Sequence, residues 1–197
     1  TEGRLTADGS SLAASLTGTG VSYTVADVGN AQEVVFSTSR GLGESENAGP
    51  AMNLLPRQGG NRFSGTFFAN GANDSMQSDN FTEEIRQAGL RAPNKLQSIW
   101  DVSGAVGGPI RRDRLWFFSA ARYQGNRKLV GGMFRNLNEG NVNSWLYEPD
   151  LNSQASADSE WKNVSTRLTW QATTRNKFNL YWDEQRNCTL CTGGGTA

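Results

Sequence analysis

The sequence predicts an all-β chain: a partial transmembrane antiparallel β-barrel of about five strands, too few to close on itself. Three observations predict it. Segments of about ten residues alternate apolar and polar side chains, the length a tilted strand needs to cross a bilayer. Short turns and long polar connections follow one another in strict alternation, as they do when turns lie on one side of a membrane and loops on the other. The run from Val102 to Arg122 joins two such segments through a charged tip, Arg111 to Arg114, and restarts on Leu115, Trp116, Phe117 and Phe118, an aromatic cluster of the kind found at membrane interfaces.

The elements follow in order. The first sixty or so residues are rich in Gly, Ser, Thr and Asn, with β-prone pieces at Gly20 to Val25, Gln32 to Ser37 and Met52 to Leu55, and a Gly-rich stretch from Gly41 to Gly49. Strand one is expected over Asn61 to Asn70, and a polar connection with a short helix near Thr82 to Ala88 leads to strand two, Gln97 to Val106. Gly107, Gly108 and Pro109 are expected to break that strand before the Arg111 to Arg114 turn. Strand three covers Leu115 to Gly125, and a loop of about thirty residues, rich in Asn, Gly and Ser, precedes strand four, Asn163 to Ala172. Thr173 to Asn176 form a second tight turn before strand five, Lys177 to Arg186.

Strand four shows the period best. Val164, Thr166, Leu168, Trp170 and Ala172 share one face, and Ser165, Arg167, Thr169 and Gln171 the other. In strand five Phe178, Leu180 and Trp182 oppose Asn179, Tyr181, Asp183 and Gln185. In strand three Arg122 and Gln124 face the polar interior, which sends Phe117, Ser119, Ala121 and Tyr123 toward lipid and Trp116 and Phe118 inward. A secreted β-sandwich that binds carbohydrate is the alternative, since it shows the same period with its apolar face turned in; it requires Trp170, Phe178, Leu180 and Trp182 between two sheets.

Composition narrows the function classes. The chain of 197 residues has 23 Gly, 10% aromatic and 36% hydrophobic residues, without an apolar run of membrane-helix length. Nineteen basic residues balance nineteen acidic ones, so no electrostatic footprint for nucleic acid exists. Histidine is absent, which removes the commonest general base and metal ligand; the chain reads as a non-enzyme without a cofactor. Asp8, Asp27, Asp74, Asp79 and Asp150 are dispersed loop acids without calcium-loop spacing. Cys188 and Cys191, three apart, read as a local loop disulfide or a pair of minor structural role, because neither the further ligands of a zinc site nor a redox βαβ context accompanies them. The chain starts at Thr1 without a signal sequence and ends on Gly193 to Ala197, so both ends read as cuts through a longer protein.

Three ordered segments resemble the TonB-dependent outer-membrane receptors, in particular an Oar-like group. AGPAMNLLPRQGGNRFSGTFF, Ala48 to Phe68, resembles the end of a plug domain running into the first wall strand. GGPIRRDRLWFFSAAR, Gly107 to Arg122, is similar to the first periplasmic turn, and RLTWQATTRNKFNLYWDEQ, Arg167 to Gln185, to the next hairpin. The resemblance implies that residues 1–60 are the C-terminal part of a plug and residues 61–197 the first strands and extracellular loops of the barrel. It further implies a bacterial outer-membrane location, contact with lipid, a TonB-type energising partner whose contact segment has no match here, and energy-coupled import of an iron chelate, cobalamin or oligosaccharide. Trp145, Tyr147 and Trp161 are then the candidate ligand-contacting loop aromatics, weighed against a packing or interfacial role.

Overall fold

The computed structural model describes residues 4–11, 27–38 and 50–191. The described residues are all-β apart from one short α-helix and two 3-10 turns. None of their helices is long and apolar enough to cross a membrane, which says nothing of strands. The expected strand at Gly20 to Val25 and the Gly41 to Gly49 stretch lie outside the described residues.

Two open sheets are present. The smaller runs in the order β2-β1-β4-β3, built from β1 (Arg4–Ala7), β2 (Ser10–Ser11), β3 (Ala31–Ser37) and β4 (Ala51–Pro56). β1 lies parallel to β4, with Ala7 opposite Leu54, and β3 lies antiparallel to β4. Pro56, which has no N–H to give a ladder, is the last residue of β4. β1 and β2 form a hairpin in which Ala7 faces Ser10, so its loop is Asp8 and Gly9, at φ 52° and 83°. Positive φ at both positions matches the right-handed twist of the strands, and Asp-Gly is a preferred pair there. Gly9→Ala is expected to cost about 1 kcal/mol, measured as a lowered denaturation midpoint.

The larger sheet runs β5-β6-β7-β8-β9 in chain order: β5 (Ser64–Asn73), β6 (Lys95–Arg111), β7 (Leu115–Asn136), β8 (Pro149–Gln171) and β9 (Lys177–Thr189). Adjacent strands joined by the tight turns after Arg111 and Gln171 can only be antiparallel. The partners across β7 and β8, Ser119 with Thr166 and Asn126 with Ser159, run in opposite directions and give the same result. Between β5 and β6 lies α1 (Glu83–Gln87), capped by the Thr82 hydroxyl, which accepts from Ile85 N at 3.4 Å.

The chain divides into two compact units. The first comprises Thr1–Thr66, Gly104–Ala121 and Val164–Gln185; the second comprises Phe67–Ser103, Arg122–Asn163 and Arg186–Ala197.

In the first unit the large sheet mixes polar and small apolar residues with Phe118 on its covered face and is apolar on its open one. Arg167 and Thr169 are buried beside a cluster of Ala105, Phe118 and Ala120. On the opposite face Trp170, Phe178, Leu180 and Trp182 are 52, 58, 64 and 51% exposed, with Val106, Ile110 and Val164 also exposed. Trp170 and Phe178 pair at 5.8 Å between ring centroids, and Phe63 meets Phe117 edge-on at 6.3 Å. A soluble sandwich places these apolar residues between its sheets; here they are bare, so the sandwich expectation fails on this point.

The Arg111 to Arg114 turn is clamped by one side chain. Asn61 Oδ1 accepts from Asp113 N at 3.0 Å and from Trp116 Nε1 at 2.7 Å, while its Nδ2 donates to Asp113 Oδ1 at 2.6 Å. Asp113 itself adopts φ 60°, a conformation Asp tolerates better than most residues.

Two boundaries differ from the expectation. Gly107 to Pro109 do not break the second strand, which continues to Arg111: Gly107 lets the chain pass close to Phe118, where an added Cβ would come within 2.7 Å of the ring. The loop expected between strands three and four is largely strand, because β7 reaches Asn136 and β8 starts at Pro149. Strands of 22 and 23 residues are about twice the membrane-spanning length. Their extensions lack the apolar alternation, and backbone pairing is joined there by side-chain bonds such as Asn126 to Ser159 and Gln154 to the Val130 carbonyl.

Candidate functional site at the seam of the two sheets

Within the first unit the small sheet lies against the covered face of the large one, and Arg167 of β8 is the residue at which they join. Its position follows from the period of two: Ser165, Arg167 and Thr169 all point to the covered face. Only 4% of Arg167 is exposed. Its Nη2 lies 2.9 Å from Asp8 Oδ2, and its Nη1 donates to the Pro56 carbonyl at 3.1 Å. One guanidinium thus holds both the turn after β1 and the end of β4. Its Nε–H is buried without a hydrogen-bond acceptor.

Around this pair lies a small cavity of about 50 Å³ with mixed walls, in which Leu54 and Phe118 stand beside polar side chains. The small sheet and its flank contribute Asp27, Asn30 and Arg57; the large sheet contributes Ser165, Tyr181, Asp183 and Gln185. Asp183 accepts from the Tyr181 hydroxyl at 3.2 Å and from Gln185 Nε2 at 2.9 Å. Lys177 Nζ adds a second link, donating to Gln58 Oε1 at 3.4 Å. The seam is therefore fastened by an ion pair and hydrogen bonds beside buried apolar residues, Leu54 and Phe118 among them.

The second unit carries its own charged centre. Arg122 donates to Asp101 through Nε at 2.9 Å and Nη2 at 2.6 Å, a two-pronged pair that is about three-quarters buried. The guanidinium lies 5.8 Å from the Trp161 ring centre. Elsewhere in this unit Trp100 meets Tyr123 at 5.7 Å with the rings tilted by 58°, and Lys162 Nζ sits 4.8 Å from the Tyr123 ring.

The expected loop aromatics separate. Trp145 stands in the connection after β7 and is 100% exposed. Tyr147 is in the same connection, and its hydroxyl donates to the Phe134 carbonyl at 3.0 Å. Asparagines brace this loop: Asn136 Oδ1 accepts from Glu148 N at 2.9 Å, and Asn138 Nδ2 donates to Leu146 O at 2.9 Å. Trp161 is not a loop residue at all. It lies in β8, 4% exposed, beneath Arg122. Cys188 and Cys191 are joined as a disulfide, with 5.6 Å between their Cα atoms. Among the described residues no cluster of His, Cys, Asp and Glu has the makings of a metal site.

Asp8 and Arg167 escaped the sequence reading as partners. In the sequence Asp8 reads as one of several dispersed loop acids, although Asp8-Gly9 between β-prone residues is a hairpin signal. Arg167 showed only as one member of a polar face.

The chain is similar to a TonB-dependent transporter. Over 88 residues it is 36% identical to the TonB-dependent transporter Oar of Myxococcus xanthus, a match that covers 41% of this chain and 8% of that protein. The aligned stretch thus spans a small part of the relative's length. No family model matches the chain, and no solved structure matches it. The Oar similarity supports a relationship to TonB-dependent receptors, and the all-β open sheets agree with it.

Proposed function

We propose that this chain is a segment of a TonB-dependent transporter of the bacterial outer membrane, with residues 1–60 the C-terminal part of the plug and residues 61–197 the first strands and extracellular loops of the barrel. One observation carries the reading. The large sheet hides Arg167 and Thr169 against the small sheet and leaves Trp170, Phe178, Leu180 and Trp182 bare, an arrangement suited to lipid outside and polar contents inside. In this reading the small sheet is part of the plug, β5 to β9 are wall, and the Arg111 to Arg114 and Thr173 to Asn176 turns face the periplasm.

Such a protein moves its cargo without changing it covalently, drawing energy through a TonB-type partner. The cargo is a large scarce nutrient of the class that includes iron chelates, cobalamin and oligosaccharides. Trp145, held out on an asparagine-braced loop, is the ligand-contacting aromatic in this reading, and Tyr147 secures the loop that carries it. Trp161 instead supports Arg122.

The test is fluorescence quenching by brominated acyl chains in vesicles that hold the full-length protein. In variants retaining a single tryptophan, Trp170 and Trp182 are expected to be quenched strongly and Trp145 very little. Equal quenching of all three, or none at Trp170, removes the lipid-facing assignment.

A further inference from the structure

We infer that Arg167 is a positioning residue that holds β1 on the small sheet, so that loss of its ion pair with Asp8 releases β1 while leaving the β3–β4 pair in place. Four observations carry this. β1 is four residues long and joins the sheet through β4 on one side and the two-residue β2 on the other. Its outer end is fixed by Asp8, whose N–H donates to Leu54 O at 2.9 Å and whose carboxylate meets Arg167. The same guanidinium bonds Pro56 O, so it bridges the ends of the two parallel strands across their shared edge. The β3–β4 pairing, by contrast, runs from Ala31 opposite Pro56 to Ser37 opposite Ala51 and does not depend on Asp8.

The cavity beside Arg167 makes the release local. Close packing would bind the strands into one cooperative block; the cavity leaves part of the seam unpacked, and Asn30, Ser165 and Gln185 on its wall offer hydrogen bonds to groups that part. A buried guanidinium deprived of its carboxylate destabilises whatever encloses it, and here the enclosing element with the fewest other ties is β1. The inference rests on the transporter reading only for its consequence there: β1 is the plug strand that leaves first.

Amide hydrogen exchange on the full-length protein in detergent micelles tests it, independently of any transport measurement. In Arg167→Gln, and in Asp8→Asn should the first variant not fold, the amides of Leu5 to Ala7 are expected to exchange at least about tenfold faster. Those of Val34, Val35 and Phe36 are expected to stay within about twofold of the parent. The charge exchange Asp8→Arg with Arg167→Asp is expected to return most of the lost protection. Unchanged exchange at Leu5 to Ala7, equal acceleration across the whole small sheet, or failure of the exchanged pair to restore protection each overturns the inference.

Discussion

Leu180→Arg is expected to abolish most assembly of the full-length protein into membranes. The side chain is exposed on the bare face of β9, next along that face from Phe178 and Trp182. An arginine on the lipid side of a membrane strand costs about 2–4 kcal/mol near the bilayer midplane and about 0–1 kcal/mol near the interface. Asn179→Arg, one position away on the covered face, is the matched control. The measurement is the fraction that resists denaturation by detergent without boiling. Equal loss in both variants would assign the effect to the strand as a whole and remove the distinction between its faces.

The second large effect is expected at Asp101. Asp101→Ala takes away the carboxylate that holds both Nε and Nη2 of Arg122. For a pair this far covered, removing one member costs about 2–3 kcal/mol, somewhat less than for a fully buried pair because about a quarter of each side chain remains exposed. Replacing both, Asp101→Leu with Arg122→Met, is expected to recover about half or more of that loss, since neither charge then needs compensation. The check is the midpoint of denaturant-induced unfolding for the two single variants and the double. Additive losses would show that the pair is not the source of the effect.

The sequence was legible where one face of a strand differs from the other. Val164 to Trp170 and Phe178 to Trp182 announce strands because every second residue is apolar, and the short turns between them announce hairpins. It was illegible where apolar residues do not fall at every second position. From Asn126 to Asn136 and from Pro149 to Ser159 the residues have the composition of a loop, yet the chain stays extended because each strand completes the other's hydrogen bonds. Trp161 was misplaced for the same reason, sitting in a stretch with no alternating pattern to assign it a face.

The seam was hidden for a different reason. An arginine on a polar face ordinarily meets solvent, and nothing near Arg167 in the chain foretells that Asp8 stands against it and leaves only 4% of the arginine exposed; that pairing is visible only once the small sheet is in place. Asp8-Gly9 did carry a local signal, because a two-residue turn with positive φ is written in those two residue types. A turn of this kind fixes where its carboxylate points, though not what it meets.

β5 and β9 form the two flanks of the large sheet, and each has a neighbour on one side only among the described residues. Bare aromatic residues on one face and unclaimed backbone groups along both margins make a poor solute. In the transporter reading this has a consequence for biogenesis. Between synthesis and insertion the segment needs an escort that keeps it extended and single, and any delay in transit exposes it to joining its own kind edge to edge.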